Sequence, residues 1–273
     1  MKKNILITGC SSGIGYDTAH YLHNKGYKVY ASARKKEDVE RLKAKGLDTY
    51  LLDIRDSKQI ESVLADILKK DGELYAVFNN AGYGQPGAVE DITTPVLKEQ
   101  FETNLFGLHE LTTQVLKIMR KQGYGRIMQH SSVLGIISLR FRGAYNASKY
   151  AIEGLCDTLR LELSGTDIHV CTINTGPIKS DFRKNATEMF KKNVKFEDSL
   201  WRAEYEAELL ERKNSKDNDF FTKHSDVVIK NVLHVLEAKK PHPRYYNTLA
   251  THLLGGLKRV LSTSVLDKIL LRV

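Results

Sequence analysis

Asn4-Ile5-Leu6-Ile7-Thr8-Gly9-Cys10-Ser11-Ser12-Gly13-Ile14-Gly15 decides the fold. Residues 4–8 read as a buried strand, and a G-x-x-x-G-x-G turn carries the chain straight into a helical pattern over residues 14–24. Strand, glycine turn and helix in that order open a βαβ unit. Glycines there let the backbone turn tightly and approach a pyrophosphate, which the positive end of the following helix attracts. A tight turn needing glycine for geometry alone would use the same residues. The position directly after the first strand favours the phosphate reading, although the spacing differs from the more familiar G-x-G-x-x-G. Gly9, Ser11, Ser12, Gly13, Ile14 and Gly15 are therefore candidate cofactor-binding residues.

Outward from this turn the rhythm repeats. Short apolar runs at residues 28–32, 48–52, 74–78, 126–130 and 168–173 alternate with helical patterns at 36–45, 57–70, 95–121 and 145–163. Gly26, Gly46, Gly72 and Gly123 each fall just after a helix end. The runs are nearly continuous rather than alternating, as expected of parallel strands covered by helices on both faces. A helix at residues 226–237 and a last strand at 244–246 complete the pattern. The expectation is an α/β fold, a single-domain Rossmann-type doubly wound parallel sheet of about seven strands with helices on both faces. At 273 residues the chain is near the upper size for one core, so one domain is expected over 1–273. The charged, helix-prone stretch 181–225, with a polar break at 214–219, reads as an insertion over the carboxyl edge of the sheet, where such folds bind ligands.

The charge and the cysteines narrow the class. Forty-two Lys and Arg against 33 Asp and Glu give a formal charge of +9, and residues 238–273 hold +6 of it, with seven cations against Asp267. No long basic run exists, so nucleic acid is not the expected partner; an anionic cofactor or a membrane surface competes for that charge. Cys10, Cys156 and Cys171 have no paired or metal-like spacing, which fits a reducing cytoplasm and no metal site. The first residues are too short an apolar run for a signal peptide, and no stretch is long enough to span a bilayer.

The end of the second strand selects the dinucleotide. About 20 residues beyond the glycine turn, an acidic residue would accept hydrogen bonds from a ribose 2′-hydroxyl. Here the chain reads Ala31-Ser32-Ala33-Arg34-Lys35-Lys36, with no acid before Glu37. A guanidinium at Arg34 can pair with a 2′-phosphate instead, helped by Ser11. Cations at a helix start oppose its dipole unless an anion compensates, which weighs against simple solvation. The expected cofactor is NADP(H).

Tyr145 and Lys149 lie one helical turn apart in Tyr145-Asn146-Ala147-Ser148-Lys149. A free tyrosine titrates near ~10, and a neighbouring ammonium favours its phenolate, making it a usable acid and base. Such a pair alone is common. Here Ser132 precedes it in His130-Ser131-Ser132-Val133-Leu134-Gly135, Asn79-Asn80-Ala81-Gly82 follows the fourth strand, and Asn104 lies in the long helix after it. With these residues the chain resembles the short-chain dehydrogenase/reductase family, strongly from residue 4 to about 177. The stretch SSVLGIISLRFRGAYNASKYAIEGLCDTLRLEL is most similar to the 17β-hydroxysteroid and retinol dehydrogenases and to bacterial NADP-dependent aldehyde reductases.

The resemblance implies roles. Tyr145 would be the general acid in carbonyl reduction, and Ser132 would hydrogen-bond the carbonyl oxygen. Lys149 would lower the tyrosine's pKa and bind the nicotinamide ribose; Asn104 would hold a water of the proton relay. Asn79, Ala81 and Gly82 would line the adenine-ribose side, and Asp53, beside Ile54, would contact the adenine edge. Pro177, Ile178 and Ser180 would lie near the carboxamide and pyrophosphate, although Thr175 stands where the family pattern has proline. His130 reads as a satisfied core histidine, Ser131 as structural and Cys10 as packing. Family members pair through the helices at 95–121 and 145–163, so a homodimer or homotetramer is implied.

The substrate side is expected in residues 133–143 and 181–222. Leu134, Ile136, Ile137, Leu139, Phe141, Met189, Phe190, Phe196 and Trp201 supply apolar surface that favours a small hydrophobic carbonyl or alcohol, unless they merely pack the insertion. Residues 247–273 read as two short amphipathic helices, and three roles stay open for them: packing on this domain or a partner, a lid, or weak peripheral contact with anionic membrane. The function expected is NADP(H)-dependent carbonyl–alcohol oxidoreduction in the cytoplasm. A membrane-surface steroid, retinoid or lipid dehydrogenase, and a non-catalytic NADP(H)-sensing regulator, are the alternatives.

Overall fold

The computed structural model describes residues 3–214 and 222–272, with the backbone alone for 209–214. Seven strands form one parallel sheet: β1 (Asn4–Ile7), β2 (Lys28–Ala33), β3 (Asp48–Leu51), β4 (Ala76–Asn79), β5 (Tyr124–Ser132), β6 (Asp167–Thr175) and β7 (Arg244–Tyr246). Their order is β3-β2-β1-β4-β5-β6-β7. The chain winds outward from β1 to β3, then crosses back to β4 and winds the other way. That reversal between β1 and β4 opens a crevice at their carboxyl ends, the place where doubly wound sheets hold ligands.

Successive strand residues point to opposite faces. Leu6, Tyr30, Val77 and Ile127 enter one core, beneath α3 (Ser57–Asp71), α5 (Leu108–Gln122) and α6 (Gly143–Glu162). Their neighbours Ile5, Ile7, Val29, Ala31, Phe78 and Met128 enter the other, beneath α1 (Gly13–Asn24), α2 (Lys36–Lys43) and α9 (Asp226–Glu237). Two covered faces explain the unbroken apolar runs. Asp56 caps α3 by accepting from the Lys58 and Gln59 amides, and all four expected cap glycines have positive φ.

One expected helix is interrupted. Residues 95–121 form α4 (Thr94–Phe101), a π-helical stretch Glu102–Gly107, and α5. The reason lies at Gly107, where an added Cβ would fall 2.6 Å from the Ile54 carbonyl oxygen. The widened turn lets the helix press its backbone on the chain after β3, and it aims Asn104 inward, fully buried. Such bulges are frequent at functional sites.

After β6 come α7 (Phe182–Asn193) and α8 (Arg202–Asn214); after β7 come α10 (Leu249–Val260) and α11 (Thr263–Leu270). The polar break expected at 214–219 lies, beyond Asn214, outside the described residues. Among the described residues no helix is long and apolar enough to cross a membrane.

Candidate active site

The glycine turn is clamped to the end of β4. The Thr8 hydroxyl accepts from the Asn80 and Ala81 amides, both at 3.0 Å, and the Asn80 carboxamide donates to the carbonyls of Thr8 (2.9 Å) and Gly9 (3.1 Å). Gly9 has φ +71, and a Cβ there would lie 2.8 Å from Ala81 Cα; one on Gly15 would lie 2.5 Å from the Gly9 carbonyl. Those two glycines are required by the protein's own packing. Gly13 is different: it faces Ser180, 3.1 Å from its would-be Cβ, across the crevice. The amino end of α1 is free for an anion, because Ser12 at its cap makes no side-chain hydrogen bond and its first turn holds no acid. A dinucleotide pyrophosphate fits that end. Cys10 is fully buried, its thiol donating to the Ile7 carbonyl and pushed up to about 12 by burial, so it is packing rather than a nucleophile.

Arg34 follows β2, exposed and without an ion pair among the described residues. Contrary to the expectation from sequence, α2 does not need a bound phosphate to compensate the cations at its start, because Glu37 and Asp38 in its first turn already do so. Arg41, missed in the sequence, reaches back to the turn: its guanidinium donates to the Ser11 carbonyl at 2.5 Å while pairing with Asp38 at 2.8 Å. Asp53 is held in a bidentate pair by Arg55, whose hydrogen bond keeps the carboxyl below its usual range against the opposing effect of burial. Ile54 is buried under Gly107.

Asn79 turns away from the crevice. Its carboxamide donates to Thr112 Oγ1 (3.0 Å) and Gln129 Oε1 (2.9 Å) inside the core, leaving only its backbone at the strand end. Gly82 lies against Asn104, whose Oδ1 accepts from the Tyr83 amide at 3.1 Å. The Asn104 Nδ2 donates to the Tyr83 carbonyl (2.9 Å) and to the Ser148 hydroxyl (3.2 Å), and Ser148 donates to the Tyr145 carbonyl (2.8 Å). Asn104 thus fastens the loop after β4 to the first turn of α6.

Ser132, Tyr145 and Lys149 converge. Ser132 ends β5, its hydroxyl donating to the Thr175 carbonyl at 3.3 Å and accepting from the Leu134 amide at 3.1 Å. Burial drives the Tyr145 phenol well above its ordinary value, partly offset by a hydrogen bond with Ser132. This reverses the direction expected from a neighbouring lysine. The Lys149 ammonium stands 5.5 Å from the tyrosine ring centroid and donates to the His130 carbonyl at 2.6 Å; burial brings it down to about 8, opposed by Glu153.

Beneath them lies a polar layer. The His130 ring bonds Asn80 Oδ1 (2.9 Å) and Thr175 Oγ1 (3.1 Å), and burial lowers it to about 3, so it is neutral. Thr175 therefore has a partner of its own in the position where proline was expected. Glu153, one turn beyond Lys149, accepts from Asn174 at 2.6 Å and Arg244 at 3.0 Å, a network with no local sequence signal. Pro177 and Ile178 run beside Lys223, the Pro177 carbonyl accepting from its amide at 3.1 Å.

Phe182, also missed, sits over the tyrosine. Its ring is 5.5 Å from that of Tyr145, and a Cβ on Gly84 would touch it at 2.9 Å. The aromatic residues expected to line a pocket mostly pack instead. Phe141, Phe190, Phe196 and Trp201 cluster with Tyr205, while Leu134, Ile136, Ile137 and Leu139 pack under the leucines of α10 and α11. Met189 is half-buried. Among the described residues no cluster of His, Cys, Asp and Glu is arranged to hold a metal ion.

The comparisons agree with this architecture. The family model for short chain dehydrogenases matches residues 3–191. An uncharacterized oxidoreductase of Escherichia coli K12, YbbO, is 38% identical over 271 residues, covering 99% of this chain and 94% of that protein. The 3-ketodihydrosphingosine reductase of Bacteroides thetaiotaomicron is 34% identical over 202 residues, covering 73% of each. A short-chain dehydrogenase from Streptomyces avermitilis superposes with a TM-score of 0.80 at 27% identity, covering 95% of this chain and 93% of that one. The glycine turn and the Ser132–Tyr145–Lys149 group thus stand in a chain that belongs to the short-chain dehydrogenase family, a family of oxidoreductases that bind nicotinamide cofactors.

Proposed function

We propose that this chain is an NADP(H)-dependent oxidoreductase that interconverts a hydrophobic aldehyde or ketone and its alcohol, working chiefly as a reductase. The observation that carries the reading is the convergence of Ser132, Tyr145 and Lys149 at the crevice mouth, with the open amino end of α1 beside it. NADPH held at the amino end of α1 and by Arg34 would supply the hydride for the carbonyl carbon. Tyr145, kept protonated by burial, gives its phenolic proton to the carbonyl oxygen, and Ser132 donates a hydrogen bond to that oxygen as negative charge develops. The Lys149 ammonium, still mostly charged at neutral pH with a pKa near 8, stabilises the phenolate left behind. Asn104 holds the start of α6 in place for that exchange, and it is the proposed anchor of the water that returns a proton.

Preference for NADP(H) rests on Arg34, which has no ion pair among the described residues, and on Arg41 beside Ser11. Helices α7 and α8 form the substrate lid, with Phe182 closing over Tyr145. Pairing into a dimer or tetramer uses α4, α5 and α6, where Leu97, Leu155 and Leu161, together with Phe106 of the π-helical stretch, stand exposed. The proposed location is the cytoplasm. NADPH consumption by the purified chain across long-chain aldehydes, ketones and steroids, with NADH in parallel, tests the reading. Turnover with NADPH at least about tenfold above NADH supports it; tight NADPH binding without turnover on any substrate replaces it with a sensor.

A further inference from the structure

We propose that α10 and α11 form a docking surface for an anionic lipid bilayer. Five of the fifteen large apolar side chains that stand exposed among the described residues lie here: Leu249, Leu253, Val260, Val265 and Leu271. That concentration falls on less than a tenth of the chain. Helix α10 divides its apolar residues between two faces. Leu254 and Leu257 turn inward onto Val133, Ile137 and Leu266. Leu249, Leu253 and Val260, spaced by four and seven positions, share the outward face and are 57%, 55% and 77% exposed. The inward stripe completes the fold, so the outward one is surplus to it.

The same two helices carry exposed cations. Lys258, Arg259, Lys268 and Arg272 are all exposed, none has an ion pair among the described residues, and Asp267 is the one acid between residues 249 and 272. Exposed leucine and valine beside unpaired lysine and arginine is the face an interfacial helix offers to acidic headgroups and the acyl boundary. A second copy of the chain fits poorly. A two-fold contact would set each strongly cationic tail against its equal, and like charges at short range repel. A bilayer containing acidic lipid supplies hydrocarbon and negative charge together.

The surface adjoins the candidate site. Thr248 caps α10 and lies against Gly176, where an added Cβ would fall 2.2 Å from its hydroxyl. The inward leucines cover Leu134, Ile136 and Leu139, in the segment that follows Ser132. A bilayer on the outward face therefore lies beside the substrate segment, which suits a carbonyl compound delivered from the lipid phase. Delivery of a substrate from the lipid rests on the catalytic function proposed above; the docking itself does not.

Sedimentation of the full chain with sucrose-loaded vesicles decides it. At about 0.15 M salt, the chain is expected to pellet at least about tenfold more strongly with phosphatidylcholine containing about a third phosphatidylglycerol than with phosphatidylcholine alone. Leu253→Glu combined with Val260→Glu is expected to lose about tenfold or more of that partition. Lys258→Glu combined with Arg259→Glu is expected to remove the preference for acidic vesicles. All four positions are exposed, so an unchanged thermal melt and unchanged NADPH oxidation with a water-soluble aldehyde accompany these losses; that assay reports separately on catalysis. A wild-type chain that stays in the supernatant with acidic vesicles overturns the proposal. So does equal pelleting of the Leu253→Glu/Val260→Glu variant. Dissociation of a homo-oligomer by that variant in sedimentation velocity also overturns it, giving the face to a second copy.

Discussion

The cofactor side and the substrate side of this crevice are built by different means. On the cofactor side, backbone lies against backbone, Gly9 on Ala81 and Gly15 on Gly9, and the Thr8 hydroxyl ties the turn to two amides of the loop after β4. On the substrate side, side chains from remote segments hold one another. Tyr205 of α8 donates to Asp91 at 2.6 Å and accepts from the Ala88 amide at 2.6 Å, across more than a hundred residues of sequence. Its ring packs against Phe141 and Phe190. A backbone contact tolerates almost no substitution, whereas a packed aromatic cluster accepts many combinations of similar volume. The first half is rigid by close backbone approach and the second by side-chain packing.

If the chemistry belongs to neither half, one substitution should remove it while leaving both. Tyr145→Phe keeps the ring against Phe182 and deletes the proton donor. We expect turnover to fall by about a thousandfold or more, with NADPH affinity and melting temperature nearly unchanged. Retained turnover would show that another group delivers the proton.

The cofactor side also carries a buried charge. Lys149 titrates near 8 when folded against 10.5 for an unhindered lysine, so the unfolded chain binds more protons between those values. Stability attributable to this group therefore rises as pH increases from about 8 to 10.5. Below pH 8 the full penalty applies, and Lys149→Met is expected to stabilise the fold by up to about 3 kcal/mol at pH 7 while losing activity. Urea titrations of the two proteins across that range check it. A variant no more stable than wild type at pH 7 would mean that the 2.6 Å bond to the His130 carbonyl already offsets the burial.

These differences also explain what sequence alone conveyed. The seven strands and most of the helices were legible, because hydrophobic period is a local property; Ser132, Tyr145 and Lys149 were marked out by the family resemblance, and the fold brings them together. The π-helical stretch was not legible: it arises from the approach of Gly107 to Ile54, and nothing near Asn104 announces it. Arg41 and Glu153 act through contacts with Ser11 and Arg244, and the inward turn of Asn79 depends on Thr112 and Gln129. The apolar residues of the insertion were visible as a group, but only the folded cluster shows that they meet each other. The 2′-phosphate reading sits between these cases. Arg34 was visible in sequence, while Glu37 and Asp38 weaken the dipole argument once α2 is seen. Arg34→Ala is expected to weaken NADPH by roughly ten- to a hundredfold and NADH by less than about twofold. Equal losses measured by fluorescence titration would remove that assignment.

The smallest effect probes the independence of the two halves most directly. Tyr205 is almost fully buried, and its hydroxyl satisfies the Ala88 amide while donating to Asp91, which Ser199 also reaches at 2.7 Å. Tyr205→Phe leaves the aromatic packing with Phe141 and Phe190 intact and deprives a buried amide of its acceptor. The cost expected is about 1–2 kcal/mol in stability. Because Ala88 and Asp91 lie on the substrate side, away from the glycine turn, the kinetic effect should appear in KM for a long-chain aldehyde, with kcat and NADPH affinity held within about twofold. A loss of NADPH affinity as large as that from Arg34→Ala would mean that the aromatic cluster and the glycine cradle form one mechanical unit, and the division between backbone-set and side-chain-set rigidity would then fail at the crevice itself.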